Sequence, residues 1–286
     1  LLLDGWSWPL VFRDLSNSYQ ALLQGNPPAL AAARPYRDYI SWIHRKHEND
    51  TEQFWREKLR GMTQPTPLIN ELAEASTAKQ RVNGQCSYTL DVATTSRLIA
   101  SARRLRITSN SLIQAAWSIV LSRLSGWNDV TFGAAFAGRP ADLPNARNIV
   151  GPFVNNLPLR MRVENESTVE EHLKRLHEDL LELNPYQFAP LNQIQSWSEV
   201  SWRDRLFDSI VVVQNYEVDE AAQRLGDSVA ISEFSGPTHT NFPLLVLVEP
   251  ESSWRITLIY DRGKLDSSRV EQWGNDFIQV LTALPS

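Results

Sequence analysis

The sequence predicts a mixed α/β fold in which helices flank a mixed sheet. From Gln85 onward, short strand-like segments alternate with amphipathic helices, which is the pattern of α/β domains. The clearest helix spans residues 109–125, where apolar side chains at helical spacing form a wide stripe that ends at Gly126. The clearest strand pair spans residues 242–248 and 254–260, separated by a polar turn as in a hairpin.

The elements before residue 85 are predicted to be helices and loops. Ser7 followed by Pro9 indicates a helix that has Ser7 as its N-cap, and Gly25 ends that helix. Residues 26–35 are rich in Pro and Ala, so we predict the main internal boundary there. Two further helices are expected over residues 37–47 and from 50 or 51 to 61, followed by a loop over 61–79.

The elements after residue 85 are predicted from caps and apolar spacing. Ser167-Thr168-Val169-Glu170 indicates a capping box that opens a helix, and Asp266 or Ser267 caps the last helix. A further helix is expected over 95–105, and the remaining strands are expected over 87–90, 130–136, 156–163 and 206–215.

The composition is that of a folded protein of ordinary charge. Hydrophobic residues make up 42% of the 286 residues, charged residues make up 21%, and the net charge is −5. This balance argues against a nucleic-acid partner, and the apolar runs are too short for a membrane span. Cys86 is the single cysteine, so no internal disulfide forms and we expect a reducing compartment, the cytoplasm.

The histidines and glycines give no independent catalytic signature. His44 and His47 lie at helical spacing between basic residues, so we expect a solvated helix face and no metal site. His172 and His177 are expected on or beside a polar helix face, and His239 in a polar loop gets no catalytic role. No Gly-x-Ser-x-Gly or phosphate-binding glycine loop occurs in the sequence.

Several segments, in order, resemble the condensation domains of nonribosomal peptide synthetases, a family of the chloramphenicol-acetyltransferase-like superfamily. Asp4-Gly5-Trp6-Ser7 is similar to the end of the family's His-His-x-x-x-Asp-Gly motif with its following Trp-Ser. The other segments are 36–42, Gly138-Arg139-Pro140, 150–160, 186–191, 206–216 and 240–244. The stretch from Trp202 to Arg205 departs from the usual pattern, which leaves the subtype open.

The resemblance implies an α/β fold with two acetyltransferase-like lobes. Residues 1–34 would be the end of the first, donor-side lobe, and residues 35–286 the complete second, acceptor-side lobe. We expect the chain to be a fragment whose missing first-lobe segment is a partner and whose His pair would precede Leu1. The chain by itself is therefore expected to be inactive.

The resemblance also implies an activity and its partners. Donor and acceptor carrier proteins would present thioesters on their phosphopantetheine arms, and the acceptor amine would attack the donor thioester to form an amide. No cofactor bound to the chain itself is implied. An adenylation domain is the expected neighbour.

The resemblance gives each motif residue an expected role. Asp4 would hold the local turn, often through an arginine, and Gly5 would permit a tight turn. Trp6 and Ser7 are candidate substrate contacts, although core packing and helix capping are their simpler interpretations. Asn155 would hydrogen-bond substrate or satisfy backbone groups, two alternatives that stay open. Structural ion pairs are expected for two arginines, Arg139 and Arg160.

Other activities are compatible with the same superfamily. Epimerisation, heterocyclisation and other acyltransferase domains are alternatives, although Gln214-Asn215-Tyr216-Glu217 at the end of a predicted strand fits condensation better. A non-catalytic platform that docks a carrier protein is a third hypothesis, which exposed Trp or Arg anchors would favour.

Overall fold

A computed structural model describes residues 2–45, 48–68, 83–164, 166–214, 224–225, 229–230 and 241–284. The chain forms two compact units. One unit contains residues 1–47, 137–155 and 215–237, and the other contains residues 48–136, 156–214 and 238–286. Of the expectations above, His47, His239, the segment 215–217 and most of the loop over 61–79 lie outside the described residues. The domain boundary after residue 34 stays a prediction.

The larger unit is built on a six-stranded sheet. Its strands are β1 Asn83–Thr89, β2 Asp129–Phe136, β3 Asn155–Arg162, β4 Ser209–Val213, β7 Leu244–Glu249 and β8 Arg255–Asp261, in the order β1-β8-β7-β4-β2-β3. β4 runs parallel to β2 and β7, whereas β8 runs antiparallel to β1 and β7, so the sheet is mixed. The predicted α/β class with a mixed sheet and flanking helices is therefore confirmed.

Eight helices are described, and four of them begin at a side chain that caps the first turn. The eight are α1 Trp8–Leu23, α2 Arg37–Ile43, α3 Glu48–Lys58, α4 Val92–Leu105, α5 Ser109–Ser125, α6 Val169–Leu183, α7 Leu191–Trp197 and α8 Ser267–Ala283. The capped helices are α4, α5, α6 and α8. Asp91, Thr108 and Asp266 each accept a hydrogen bond from a backbone N–H three residues later. Each bond satisfies an N–H group that has no acceptor within the helix itself.

The core of the larger unit forms around α5. Its side chains are buried over most of the helix circumference because the sheet and the helices α6 and α8 pack on it. The fully buried Trp117 ring packs edge-on against Phe277 of α8 at 5.6 Å, and its indole N–H donates to the Ser209 hydroxyl of β4 at 3.1 Å. This bond satisfies a polar group that burial would otherwise penalise.

Two expectations about α6 are wrong. The capping box uses Thr168 and Glu171, one residue later than predicted, because Thr168 has the extended backbone that an N-cap needs. His172 does not lie on the polar face of α6. It is buried, and its Nε2 lies 2.9 Å from the Ser118 hydroxyl of α5.

The smaller unit contains α1 and α2, two short 3₁₀ turns at Gly5–Ser7 and Ala146–Asn148, and the strand pair β5 (Arg224–Leu225) and β6 (Val229–Ala230). α2 ends at Ile43, so the helix predicted over 37–47 is shorter than expected among the described residues. None of the described helices combines the length and the apolar character that crossing a membrane requires.

Candidate active site

The motif carboxylate of Asp4 lies at the start of the smaller unit and folds the chain locally. Asp4 is the N-cap of the Gly5–Ser7 turn, and its Oδ1 accepts the Ser7 backbone N–H at 3.0 Å. α1 follows at once, with Pro9 in its first turn, where a missing N–H costs nothing. The cap that starts this helical segment is therefore Asp4.

Ser7 occupies the N-cap position of α1 without capping it, so the predicted capping role of its side chain is wrong. The fully buried hydroxyl lies 2.8 Å from Asp4 Oδ1 and accepts the Gly151 N–H at 3.0 Å. Arg139 Nη2 lies 3.2 Å from the Ser7 hydroxyl oxygen. Because these partners are inside the protein, the hydroxyl is used to join two chain segments.

Arg139 completes the network from the loop after β2. Its Nη2 donates to Asp4 Oδ1 at 3.0 Å, and the pair is almost entirely shielded from water. Its Nη1 donates to the carbonyls of Ala146 and Ile149, both at 2.8 Å. The guanidinium also lies over the Phe153 ring, 4.1 Å from the ring centroid. The side chain is thus fixed on several sides.

Phe153 contributes through both its backbone and its ring. Its N–H donates to Asp4 Oδ2 at 3.0 Å, so both carboxylate oxygens are used. An ionised carboxylate accepts several donors at once, and charge-assisted bonds are stronger than neutral ones. The arrangement brings together Asp4, Ser7 and Arg139, three of the residues that the sequence singled out.

Tyr36 and Tyr39 of the α2 region pack against Phe153, a contribution that the sequence reasoning missed. The Tyr36 ring meets the Phe153 ring edge-on at 5.1 Å, and the Tyr39 ring lies 4.3 Å from it. The Tyr36 hydroxyl donates to the Pro152 carbonyl at 2.8 Å. Burial raises the pKa of both phenols, so they stay neutral at physiological pH. The segment 36–42 matched the family pattern, but nothing in the sequence indicated that its tyrosines pack on Phe153.

Two glycines allow the segments to approach this closely. Gly138 has a φ of +64°, and an added Cβ would collide with the Phe153 carbonyl oxygen. At Gly151 an added Cβ would collide with the Tyr36 ring. Only a residue without a side chain fits either position, which explains the glycines beside Arg139 and before Phe153.

The remaining candidate residues lie around this network or away from it. Gly5 and the half-buried Trp6 belong to the Asp4-capped turn. Asn155 is half-buried and begins β3 two residues after Phe153. The substrate-binding roles of Trp6, Ser7 and Asn155 stay predictions.

Arg160 lies in the larger unit, away from the Asp4 network. On β3 it makes a two-point ion pair with Asp129 of β2, with N–O distances of 2.9 and 2.7 Å. Its Nη1 donates to the Arg60 carbonyl at 2.7 Å. These contacts tie a strand pair to the end of α3, which is a structural arrangement.

Over the described part of the chain, no three side chains of His, Cys, Asp or Glu cluster as a metal site would require. The ionised groups at the Asp4 network are instead one carboxylate and one guanidinium held by backbone and hydroxyl partners. Such a network can fix a backbone and a charge in place, which is positioning chemistry.

The family profile described as Condensation domain matches residues 1–286. The chain therefore belongs to the condensation domain family, as the motif resemblance indicated. It is 35% identical over 288 residues to a linear gramicidin synthase of Brevibacillus parabrevis, covering 100% of this chain and 4% of that protein. It is 35% identical over 285 residues to chondramide synthase cmdD of Chondromyces crocatus, covering 99% of this chain and 7% of that protein. The chain thus spans a small fraction of these relatives.

Solved structures show the same fold at low sequence identity. The X-domain from teicoplanin biosynthesis superposes with a TM-score of 0.80 at 21% identity, covering 99% of this chain and 67% of that chain. The first condensation domain of the calcium-dependent antibiotic synthetase, in complex with substrate analogue 3a, gives a TM-score of 0.77 at 19% identity, with coverages of 99% and 62%. At these identities the likeness establishes the fold.

Proposed function

We propose that this condensation domain takes part in amide bond formation between a donor acyl or peptidyl thioester and the amine of an acceptor aminoacyl thioester. The observation that carries the proposal is the interlocking of two motif segments distant in sequence. Asp4 and Ser7 of the first motif bind Arg139, Gly151 and Phe153 of the later one. A fixed motif turn is what a reaction that depends on positioning requires.

The reaction needs few chemical groups from the protein. The acceptor nitrogen attacks the donor carbonyl carbon, a C–N bond forms, and the C–S bond breaks. The sulfur leaves as a thiol that carries the proton lost by the nitrogen. Because a thioester is already activated, the protein has to place the two reactants, accept the proton in passing and stabilise the oxyanion.

Asp4 serves this chemistry as a positioning residue. Its two oxygens already accept donors from Ser7, Arg139 and Phe153, so the carboxylate is not oriented to take a proton from substrate. We propose that Gly5 permits the turn, that Trp6 and Asn155 lie toward substrate, and that Arg139 fixes the charge of Asp4. The Ser7 hydroxyl is fully buried and bonded within the protein, so we propose that Ser7 acts as a positioning residue and does not touch substrate. Arg160 has a structural role in the sheet of the larger unit.

The proposal includes partners and a setting. The thioesters would arrive on phosphopantetheine arms of donor and acceptor carrier proteins, with an adenylation domain as neighbour and the cytoplasm as compartment. Residues 1–34 would close the donor-side lobe and residues 35–286 would form the acceptor-side lobe. The family's paired histidines would precede Leu1, so the 286-residue chain alone is expected to form no amide.

The test uses the whole protein with one donor-loaded and one acceptor-loaded carrier protein. Intact-protein mass spectrometry is expected to show the acceptor carrier gaining the donor acyl group while the donor carrier returns to the free thiol. An acceptor that stays unmodified would contradict the proposal. An acceptor product that has also lost water would indicate heterocyclisation, and inversion of a single loaded residue without transfer would indicate epimerisation.

A further inference from the structure

The exposed face of α4 carries a cluster of arginines. Arg97, Arg103 and Arg104 are exposed, and Arg106 follows the helix as its cap residue. α4 itself contains no acidic residue, but its exposed N-cap Asp91 lies near Arg97. A hydrogen bond from the Thr94 N–H and, to a smaller extent, the charge of Arg97 lower the pKa of the Asp91 carboxyl. Across the residues that the structure describes, none of these four guanidinium groups makes an ion pair, and Arg97 donates only to the nearby Thr94 hydroxyl at 3.2 Å. In a chain of net charge −5, this is a concentrated positive surface.

The side chains between these arginines are small. Ala93, Ser96 and Ala100 are exposed on the same side of the helix as Arg97 and Arg104. The distance between two packed helices depends on the side chains at their contact, and small ones permit the closer approach. The face therefore offers a shallow, approachable surface bordered by positive charge.

The helix dipole does not account for the whole cluster. Cations near a helix C-terminus are stabilised, but the effect fades within the last turn. That turn contains Arg103 and Arg104, whereas Arg97 lies eight residues before the end of α4 at Leu105. Arg97 therefore gains little from the dipole.

The backbone conformation of Arg106 is a second, independent observation that favours a function for its charge. Its φ of 57° places it in the left-handed region, where glycine is the residue without steric cost. An arginine at this position raises the energy of the folded chain, and no ion pair of its side chain offsets that cost within the described part of the chain. An acidic partner of the guanidinium would offset it.

We propose that this surface, the α4 arginine face formed by Arg97, Arg103, Arg104 and Arg106, docks an acidic helix of a partner protein. Charge complementarity selects the partner, since four cations that make no ion pair among the described residues attract glutamate and aspartate side chains. The helix is about 21 Å long, so its face is smaller than one side of a standard interface. The complex is accordingly transient and electrostatically steered. A nucleic acid fits less well because the whole chain is negative.

The inference goes beyond the proposed reaction and does not depend on it. The probe is a fluorescein-labelled helical peptide with glutamates at every third or fourth position and alanines between them, compared with its glutamine counterpart. Fluorescence anisotropy with the 286-residue chain is expected to show binding of the glutamate peptide that weakens severalfold as NaCl rises from about 20 to about 200 mM, because salt screens exposed charges.

The variants separate the charge of this face from the fold. The triple variant Arg97→Glu, Arg103→Glu, Arg104→Glu should bind the glutamate peptide at least about tenfold more weakly, whereas the matching triple Lys variant should stay within about threefold of the wild type. The control Arg262→Glu reverses a different exposed arginine and should leave binding unchanged. Thermal unfolding by circular dichroism verifies that each variant is folded.

Two results would overturn the proposal. One is equal binding of the glutamate peptide by the folded triple Glu variant and the wild type. The other is tighter binding of a labelled DNA duplex of similar length than of the glutamate peptide, which would assign the face to a nucleic acid.

Discussion

The Asp4 carboxylate holds the start of the chain against segments 135 and 149 residues later, through Arg139 and the Phe153 N–H. Its relative exposure is 8%, so the charge has little contact with water. Buried charges persist when they are paired and hydrogen-bonded, and removing one partner exposes the full desolvation cost of the other. The network therefore stabilises the fold only when it is complete, with every charge and hydrogen-bond partner present.

Replacing Asp4 by Asn tests that completeness. An amide keeps one acceptor oxygen, but its NH2 group would face a donor, and the Arg139 guanidinium would be left without a counter-charge. We expect Asp4→Asn to lower the free energy of unfolding by about 3 kcal/mol in urea denaturation. Asp14→Asn is the control, because the Arg13–Asp14 pair is exposed and is worth under about 1 kcal/mol. Equal effects of the two variants would show that the buried pair is not stabilising.

Gly138 offers a test of the close approach between segments. Gly138→Ala combines a positive φ with a collision against the Phe153 carbonyl oxygen, so we expect a loss above about 3 kcal/mol or failure to fold. Gly25→Ala has a similar φ of +73° but open space around the new Cβ, and about 1 kcal/mol is expected. Equal melting temperatures for the two variants would contradict the predicted collision.

At the scale of elements, two serine–histidine contacts join α5 and α6. Ser118 lies 2.9 Å from His172 Nε2, and Ser111 lies 2.9 Å from His177 Nδ1. Burial lowers the pKa of His172 below its ordinary value of 6.5. The folded protein therefore resists protonation of this imidazole, whereas the unfolded chain does not.

This linkage predicts a pH dependence of stability. Below pH 6.5 His172 binds a proton in the unfolded state but not in the folded state. The free energy of unfolding should therefore keep its full value above that pH and should fall as the pH drops below it. The measurement is the free energy of unfolding from about pH 5 to about pH 8, compared with His172→Gln, which should lose part of the slope. His44→Gln, at an exposed position, is the control. An unchanged slope in His172→Gln would rule out this histidine as the source.

At the end of α4, replacing an arginine by glycine is expected to raise the stability at one position and to lower it at another. The Arg106 N–H donates to the Arg103 carbonyl and the Ile107 N–H to the Ala102 carbonyl, which is a Schellman arrangement around a left-handed residue. Arg106→Gly should therefore stabilise the protein by about 1 kcal/mol, whereas Arg103→Gly inside the helix should destabilise it by about as much. Destabilisation by both variants would contradict the strain at Arg106.

The sequence was sufficient where local chemistry decides the structure. Asp266, one of the two caps predicted for the last helix, caps α8, and α5 spans the predicted residues 109–125. It failed where distant contacts decide. The Ser7 hydroxyl bonds the Gly151 N–H instead of capping α1, and His172 is buried because α5 covers it. Neither contact leaves a periodic signal in the sequence.

At the scale of the whole molecule, strand order and the site depend on long-range pairing. β4 lies between β2 and β7, an order that apolar patterns along the chain do not specify. The partners of Asp4 are likewise distant in sequence. The motif resemblance singled out Asp4, Ser7 and Arg139, but the packing of Tyr36 and Tyr39 on Phe153 required the structure.

In the proposed reaction, the Asp4–Arg139 network positions the motif turn of the amide-forming site and does not move protons. The most direct test of this claim is the single-turnover rate of acyl transfer against pH in the whole protein, comparing the wild type with Arg139→Lys. Lysine keeps the charge but cannot make the same set of hydrogen bonds, so the rate should fall by about 100-fold at every pH with an unchanged profile. An unchanged rate, or a profile that loses one of its limbs, would contradict the claim.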